Sequence, residues 1–164
     1  MTGVQTCALP IYAPGLKYIW QPHLFVKTDY REGRITNRFA LRIEPGALVA
    51  FEWRDWSQAE YQTGPQFTVR DGKLKVGGKV LLELPLDQWL HFEVTAGLGA
   101  ADTGRWSLKV TIPGQATREF KDLPDGSAKF KTLTWIGFTS DANEKTVFFL
   151  DDFALDPHLL TGHE

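Results

Sequence analysis

The densest run of chemically capable side chains is Glu52-Trp53-Arg54-Asp55-Trp56, followed closely by Tyr61. Indole and phenol rings offer flat apolar faces against which the C–H face of a sugar can stack. Guanidinium and carboxylate groups donate to and accept from sugar hydroxyls. Trp53, Arg54, Asp55, Trp56 and Tyr61 are therefore the candidate carbohydrate-binding residues. The competing reading places Trp53 in a core and Trp56 over one end of the fold.

The same run offers no catalytic acid pair. A glycosidase needs two carboxyl groups flanking one bond, about 5–5.5 Å apart for retention or about 6.5–9.5 Å for inversion. Glu52 and Asp55 differ by three positions, so on a strand they point to opposite faces. A lyase would need a Tyr/His or Tyr/Lys pair, with a cationic or amide group to neutralise a uronate carboxylate. Tyr18, His23, Arg38 and His91 could serve, but nothing in their spacing brings them together, and surface strand positions are the competing reading. His158 and His163 fall in the tail. No residue is assigned a catalytic role. Asp151-Asp152 is the candidate metal site, because a carboxylate pair at a sheet edge can contribute to the six to eight oxygens that Ca²⁺ takes. Asp141-Ala142-Asn143-Glu144 reads as a turn.

The elements that would carry these residues are short and rich in β-branched and aromatic side chains. No segment sustains a 3.6-residue apolar period. Strands are expected at Tyr18–Lys27, with Pro22 marking an edge or bulge, at Phe39–Ile43 and at Ala47–Trp53. A long loop is expected over Asp55–Pro65. The run Gln66–Arg70, Asp71-Gly72, Lys73–Val76 reads as a hairpin, and Gly77-Gly78 turns the chain into Lys79–Leu84. Leu90, Phe92 and Val94 alternate within Gln88–Thr95. Gly97–Gly104 is a small connection. Trp106, Leu108, Val110 and Ile112 alternate with polar residues, and Ala116–Lys121 is placed to pair back. Leu133–Thr139 and Thr146–Leu155 close the set, and a tail without structure signals begins at Asp156-Pro157. About ten short strands at hairpin spacing give an all-β, antiparallel sandwich of jelly-roll type.

Composition narrows the classes. A net charge of −2, with both signs scattered, argues against nucleic acid or an anionic membrane surface as the main partner. No apolar run approaches the roughly 20 residues of a membrane span. The single cysteine, Cys7, falls in a segment that matches a translated sequencing adapter over the ten residues Thr2–Ile11, with Met1 reading a GTG start. Residues 1–11 are accordingly expected to be an artefact that adds no packed strand. Residues 12–156 are expected to form one N-terminally truncated sandwich domain, and 157–164 a tail. On this reading an upstream domain of the same protein is missing and is itself a partner.

Two segments resemble a known family. Trp89-Leu90-His91-Phe92-Glu93-Val94, a Gly-rich gap, and Gly104-Arg105-Trp106-Ser107-Leu108-Lys109-Val110 resemble the central hairpin of concanavalin A-like, laminin-G-like jelly rolls. Trp135–Ser140 followed by Val147–Leu155 is similar to their closing strands, and also to those of galactose-binding-like carbohydrate modules. Retaining glucanases of this fold resemble E-x-D-x-x-E, a spacing that Glu52 and Asp55 do not match. In the carbohydrate modules an Asp of the last strand helps bind structural calcium, which the resemblance carries to Asp151 and Asp152. No other cofactor is expected. The resemblance implies a secreted or cell-envelope accessory module that binds a polysaccharide or glycan. A polysaccharide lyase or glycoside hydrolase, and a purely structural domain packed on a neighbour, stay open as alternatives.

Overall fold

The computed structural model describes residues 7–10, 23–140 and 146–158. Its strands are β1 (Cys7–Pro10), β2 (His23–Tyr30), β3 (Gly33–Ile43), β4 (Leu48–Asp55), β5 (Gln62–Arg70) and β6 (Lys73–Val76). The second half holds β7 (Lys79–Glu83), β8 (Trp89–Leu98), β9 (Arg105–Thr111), β10 (Arg118–Pro124), β11 (Leu133–Thr139) and β12 (Val147–His158). They form two six-stranded antiparallel sheets, ordered β1-β12-β3-β8-β9-β10 and β2-β11-β4-β5-β6-β7. The expected all-β antiparallel sandwich is the observed one.

Period-two patterning explains the layering. Val49, Phe51 and Trp53 of β4 point inward, as do Leu90, Phe92 and Val94 of β8 and Trp106, Leu108 and Val110 of β9; all are buried. Their alternate neighbours face solvent or the outer sheet surfaces. A cluster of phenylalanines bridges the two layers at the centre. The Phe39 ring of β3 lies 5.0 Å from Phe51, 5.4 Å from Phe92 and 4.9 Å from Phe138, the last in edge contact. Offset and edge contacts of this kind add to the area the rings bury.

Several elements differ from the sequence reading. Residues 1–11 were expected to add no well-packed strand; Cys7–Pro10 pairs antiparallel with β12, from Cys7 opposite Leu150 to Pro10 opposite Val147. The outer edge of β12 exposes unpaired backbone groups, and an extended segment of any origin satisfies them. The expected loop over Asp55–Pro65 shrinks to the residues between β4 and β5, because β5 starts at Gln62 and its register with β4 shifts where Arg54 opposes Thr63. β12 continues past the expected tail boundary at Asp156, with Pro157 opposite Ile35 and His158 opposite Arg34. β8 runs to Leu98 and a 3₁₀ turn covers Gly99–Ala101 within the expected connection. Tyr18, Pro22 and the turn at Asp141–Glu144 lie outside the described residues, as does His163.

Trp106 heads the inward row of β9 at 2% exposure, and its indole N–H donates to the Pro124 carbonyl at 2.9 Å. Trp106→Ala is expected to cost about 3–5 kcal/mol in urea unfolding, as lost transfer energy plus an unfilled cavity. A loss under about 1 kcal/mol would contradict the packing described.

Candidate functional site

The outer surface of the second sheet carries a groove of about 900 Å³. Three neighbouring strands build it, and their register sets its side chains in rows. Lys27 of β2, Trp135 of β11 and Arg54 of β4 form one row; Phe25, Gly137 and Glu52 form the next; His23, Thr139 and Ala50 form a third. Small residues at Ala50, Gly137 and Thr139 leave the middle of the surface low. Trp56 and Tyr61, in the loop between β4 and β5, complete the lining.

Gly137 is required by the ring beside it. A Cβ there would fall 1.9 Å from the Trp135 indole, so no side chain fits while the indole lies across this position. Laid flat, Trp135 becomes a base for its neighbours. Phe25 stacks beside it at 5.9 Å, and His23 stacks on Phe25 at 5.4 Å. On the other side the Arg54 guanidinium sits 4.2 Å from the Trp135 ring and 4.4 Å from the Tyr61 ring. Tyr61 in turn meets Trp56 at 4.7 Å. The result is a continuous stripe of rings, His23–Phe25–Trp135–Arg54–Tyr61–Trp56, with a cation held between two π faces. Phe25, Tyr61 and Trp56 are 46%, 42% and 50% exposed, whereas Trp135 is 8% exposed. The exposed rings are those available to a ligand. Arg54 Nε donates to Glu52 Oε2 at 2.6 Å, which fixes the guanidinium plane.

The loop that presents Trp56 and Tyr61 hangs from one buried carboxylate. Asp55 Oδ1 accepts the Ser57 amide at 2.9 Å, and Oδ2 accepts the amides of Thr132 at 3.0 Å and Lys131 at 3.3 Å. Burial pushes this carboxyl upward, but the Ser57 hydroxyl and the three amides outweigh it and hold it below the ordinary aspartate value. Thr134 adds a second anchor, its hydroxyl accepting the Trp56 amide at 2.8 Å and donating to the Arg54 carbonyl at 3.1 Å. The segment following β10 supports the loop from below, with the Ser127 amide on the Thr63 carbonyl at 2.7 Å. Asp125, in that segment, is pushed up to about 6 by burial and by the neighbouring Asp102, against the opposing pull of Lys131 and Arg105.

Of the candidate sugar contacts, the structure brings Arg54, Trp56 and Tyr61 together on this groove. Trp53 and Asp55 are corrections. Both are fully buried, because β4 alternates and odd positions face inward, so Trp53 fills core and Asp55 serves as an anchor. Glu52 and Asp55 do point to opposite faces. Sequence reasoning missed Phe25, Lys27 and Trp135 as groove residues. The alternation His23-Phe25-Lys27 was a signal for an exposed aromatic, but the partner strands that complete the surface are more than a hundred residues away in sequence for β11. The possible lyase set is dispersed. His23 lines the groove, whereas Arg38 and His91 lie on the outer face of the opposite sheet, and Tyr18 is outside the described residues. Asp151 and Asp152 sit at a register shift of β12, also on that opposite sheet, where Asp151 Oδ1 accepts the Asp152 amide at 2.8 Å. Among the described residues no three His, Cys, Asp or Glu side chains cluster as metal ligands.

Two stability predictions follow from these carboxylates. Asp55→Ala strips the amides of Ser57, Lys131 and Thr132 of their acceptor and should cost about 1–3 kcal/mol in urea unfolding; an unchanged midpoint would contradict the anchor. Asp55, with its lowered pKa, contributes stability that is present above about pH 4 and lost as pH falls through its folded value. Asp125 has the opposite sign, since its folded state binds the proton more tightly and stability falls as pH rises from about 4 toward 6. Asp125→Asn should therefore raise the urea midpoint at pH 7.5, by a margin that shrinks at pH 4.5. A lower midpoint for the variant at pH 7.5 would refute this.

No protein-family model matches the chain, and no curated protein matches its sequence. Solved structures do match in shape. An endo-β-1,4-glucuronan lyase from the fungus Trichoderma reesei superposes with a TM-score of 0.54 at 9% identity, over 93% of this chain and 80% of the lyase. An alginate lyase from Alteromonas sp. 272 gives 0.54 at 8% identity, over 94% of this chain and 88% of that one. Peanut lectin gives 0.51 at 10% identity, over 93% and 98%. At such identities the likeness establishes architecture alone. This chain has the concanavalin A-like jelly-roll sandwich fold that lectins and polysaccharide lyases share.

Proposed function

We propose that this domain is a non-catalytic glycan-binding module, and that a polysaccharide lies along the groove on the outer face of β2, β11 and β4. The observation that carries this reading is the ring stripe. Three large rings, Phe25, Tyr61 and Trp56, stay exposed on one surface while most other large apolar side chains of the described residues are packed away. Exposed aromatics ordered by stacking lose little freedom on binding and offer faces to sugar C–H groups. Arg54 and Glu52 supply donors and acceptors between the rings. The shared fold of a lectin and two polysaccharide lyases supports a glycan ligand.

Binding is favoured over turnover by the chemistry of the lining. The one groove carboxylate among the described residues, Glu52, is hydrogen-bonded to Arg54, and Asp55 is sealed inside. The lyase reading keeps one supporting feature, since His23, Arg54 and Tyr61 line the same groove. An exported or cell-envelope setting, attachment to a further domain of the same protein, and a structural calcium at Asp151 and Asp152 belong to the same proposal. Calcium would raise the unfolding midpoint, and Asp152→Asn would abolish that rise.

Trp56→Ala should abolish retention on insoluble polysaccharides while circular dichroism shows an intact fold, because single aromatic anchors often dominate such contacts. Retention by the folded variant would place the site elsewhere. Release of unsaturated sugar ends, lost in His23→Ala or Tyr61→Phe, would establish the lyase reading instead.

A further inference from the structure

We infer that the glycan held in this groove is anionic, a uronate- or sulfate-bearing chain rather than a neutral one. The inference rests on the glycan-binding reading and narrows its ligand class. The chain as a whole carries a net charge of −2, yet among the described residues the groove and the smaller depression that adjoins it across Glu52 are lined by Lys27, Arg54 and Lys75 against that single acid. The Glu52 carboxylate is taken up by Arg54 Nε at 2.6 Å. No protein acceptor among the described residues takes the Arg54 Nη groups, or the ammonium groups of Lys27 and Lys75. The opposite sheet is mixed. There Arg38 and Lys109 both bond Glu93, at 2.8 and 2.9 Å, and Arg38 reaches Asp156 at 3.5 Å. Those two cations are matched by acids, whereas Arg42 of the same face meets, among the described residues, only the Phe149 ring; in the groove, among the described residues, Lys27 and Arg54 outnumber Glu52.

Geometry adds a second argument. Arg54 is clamped between Trp135 and Tyr61 with its plane fixed by Glu52, so its remaining N–H edge is pre-oriented, the arrangement that suits bidentate recognition of a carboxylate or sulfate. Lys27 stands in the same row, two strands away. Strand spacing places the two backbones about 10 Å apart, roughly a disaccharide's length. A chain with a charge on each unit can meet both cations while its sugar faces lie against the exposed rings of Phe25, Tyr61 and Trp56 that flank them.

The test is calorimetric titration of the whole chain with three polymers: a polyuronate, the same polyuronate after chemical reduction of its carboxyl groups, and a sulfated polysaccharide. The expected result is binding of the polyuronate or the sulfated chain, weakening with added salt, and at least tenfold weaker binding of the reduced polymer. Lys27→Gln, at an exposed position, should weaken anionic binding at least threefold and flatten the salt dependence without altering the unfolding midpoint. Arg54→Lys should weaken it more, despite retaining charge. Preference between the two anionic polymers tells carboxylate from sulfate. Equal affinity for the polyuronate and its reduced form would overturn the inference and leave the glycan reading standing. Failure of all three polymers and of the insoluble panel would overturn both.

Discussion

Phe39, Phe51, Phe92 and Phe138 meet where the two sheets face each other, and this contact sets the side of the sheet on which every other residue falls. Side chains of a strand alternate, so committing Phe51 and Phe138 to the interior commits Glu52, Arg54, Trp135 and Gly137 to the outer surface. A slip of one residue would exchange the two sets and bury Arg54. The cost of a buried, unpaired guanidinium and of an exposed phenylalanine cluster makes that register inaccessible. The groove is thus the reverse side of the core.

On that reverse side, one glycine and one carboxylate convert a flat sheet into a shaped surface. Gly137 leaves room for the Trp135 indole to lie across the strand, and the indole seats Phe25 on one side and Arg54 on the other. Asp55 turns the chain out of β4 and fastens the loop to Lys131 and Thr132, more than seventy residues along. Rings and cation are therefore held in place before any ligand arrives, and little ordering entropy remains to oppose binding.

The sandwich was legible in the alternation of β4, β8 and β9 and in the Asp71-Gly72 turn, which speak through local spacing. The same period sorted Glu52 from Asp55 correctly. It also held the information that Trp53 and Asp55 point inward, but composition drew both into the candidate site: tryptophan and aspartate look equally apt for a core, an anchor or a sugar contact. Only partner strands decide among these, and pairing of β11 between β2 and β4 joins segments far apart in sequence. The extension of β12 through Pro157 was hidden for a related reason, since proline is tolerated toward strand ends and edges without announcing them. Cys7–Pro10 pairs because an open sheet edge asks only for extended backbone.

In the proposed function, the outer face of β2, β11 and β4 is the surface that meets glycan. Amide and indole NMR shifts recorded during titration with an acidic oligosaccharide would test it most directly. The predicted result is that perturbations concentrate at Phe25, Arg54, Trp56, Tyr61 and Trp135, with the core amides of β8 and β9 unmoved. Perturbations confined to the opposite sheet, around Arg38, His91 and Lys109, would contradict it.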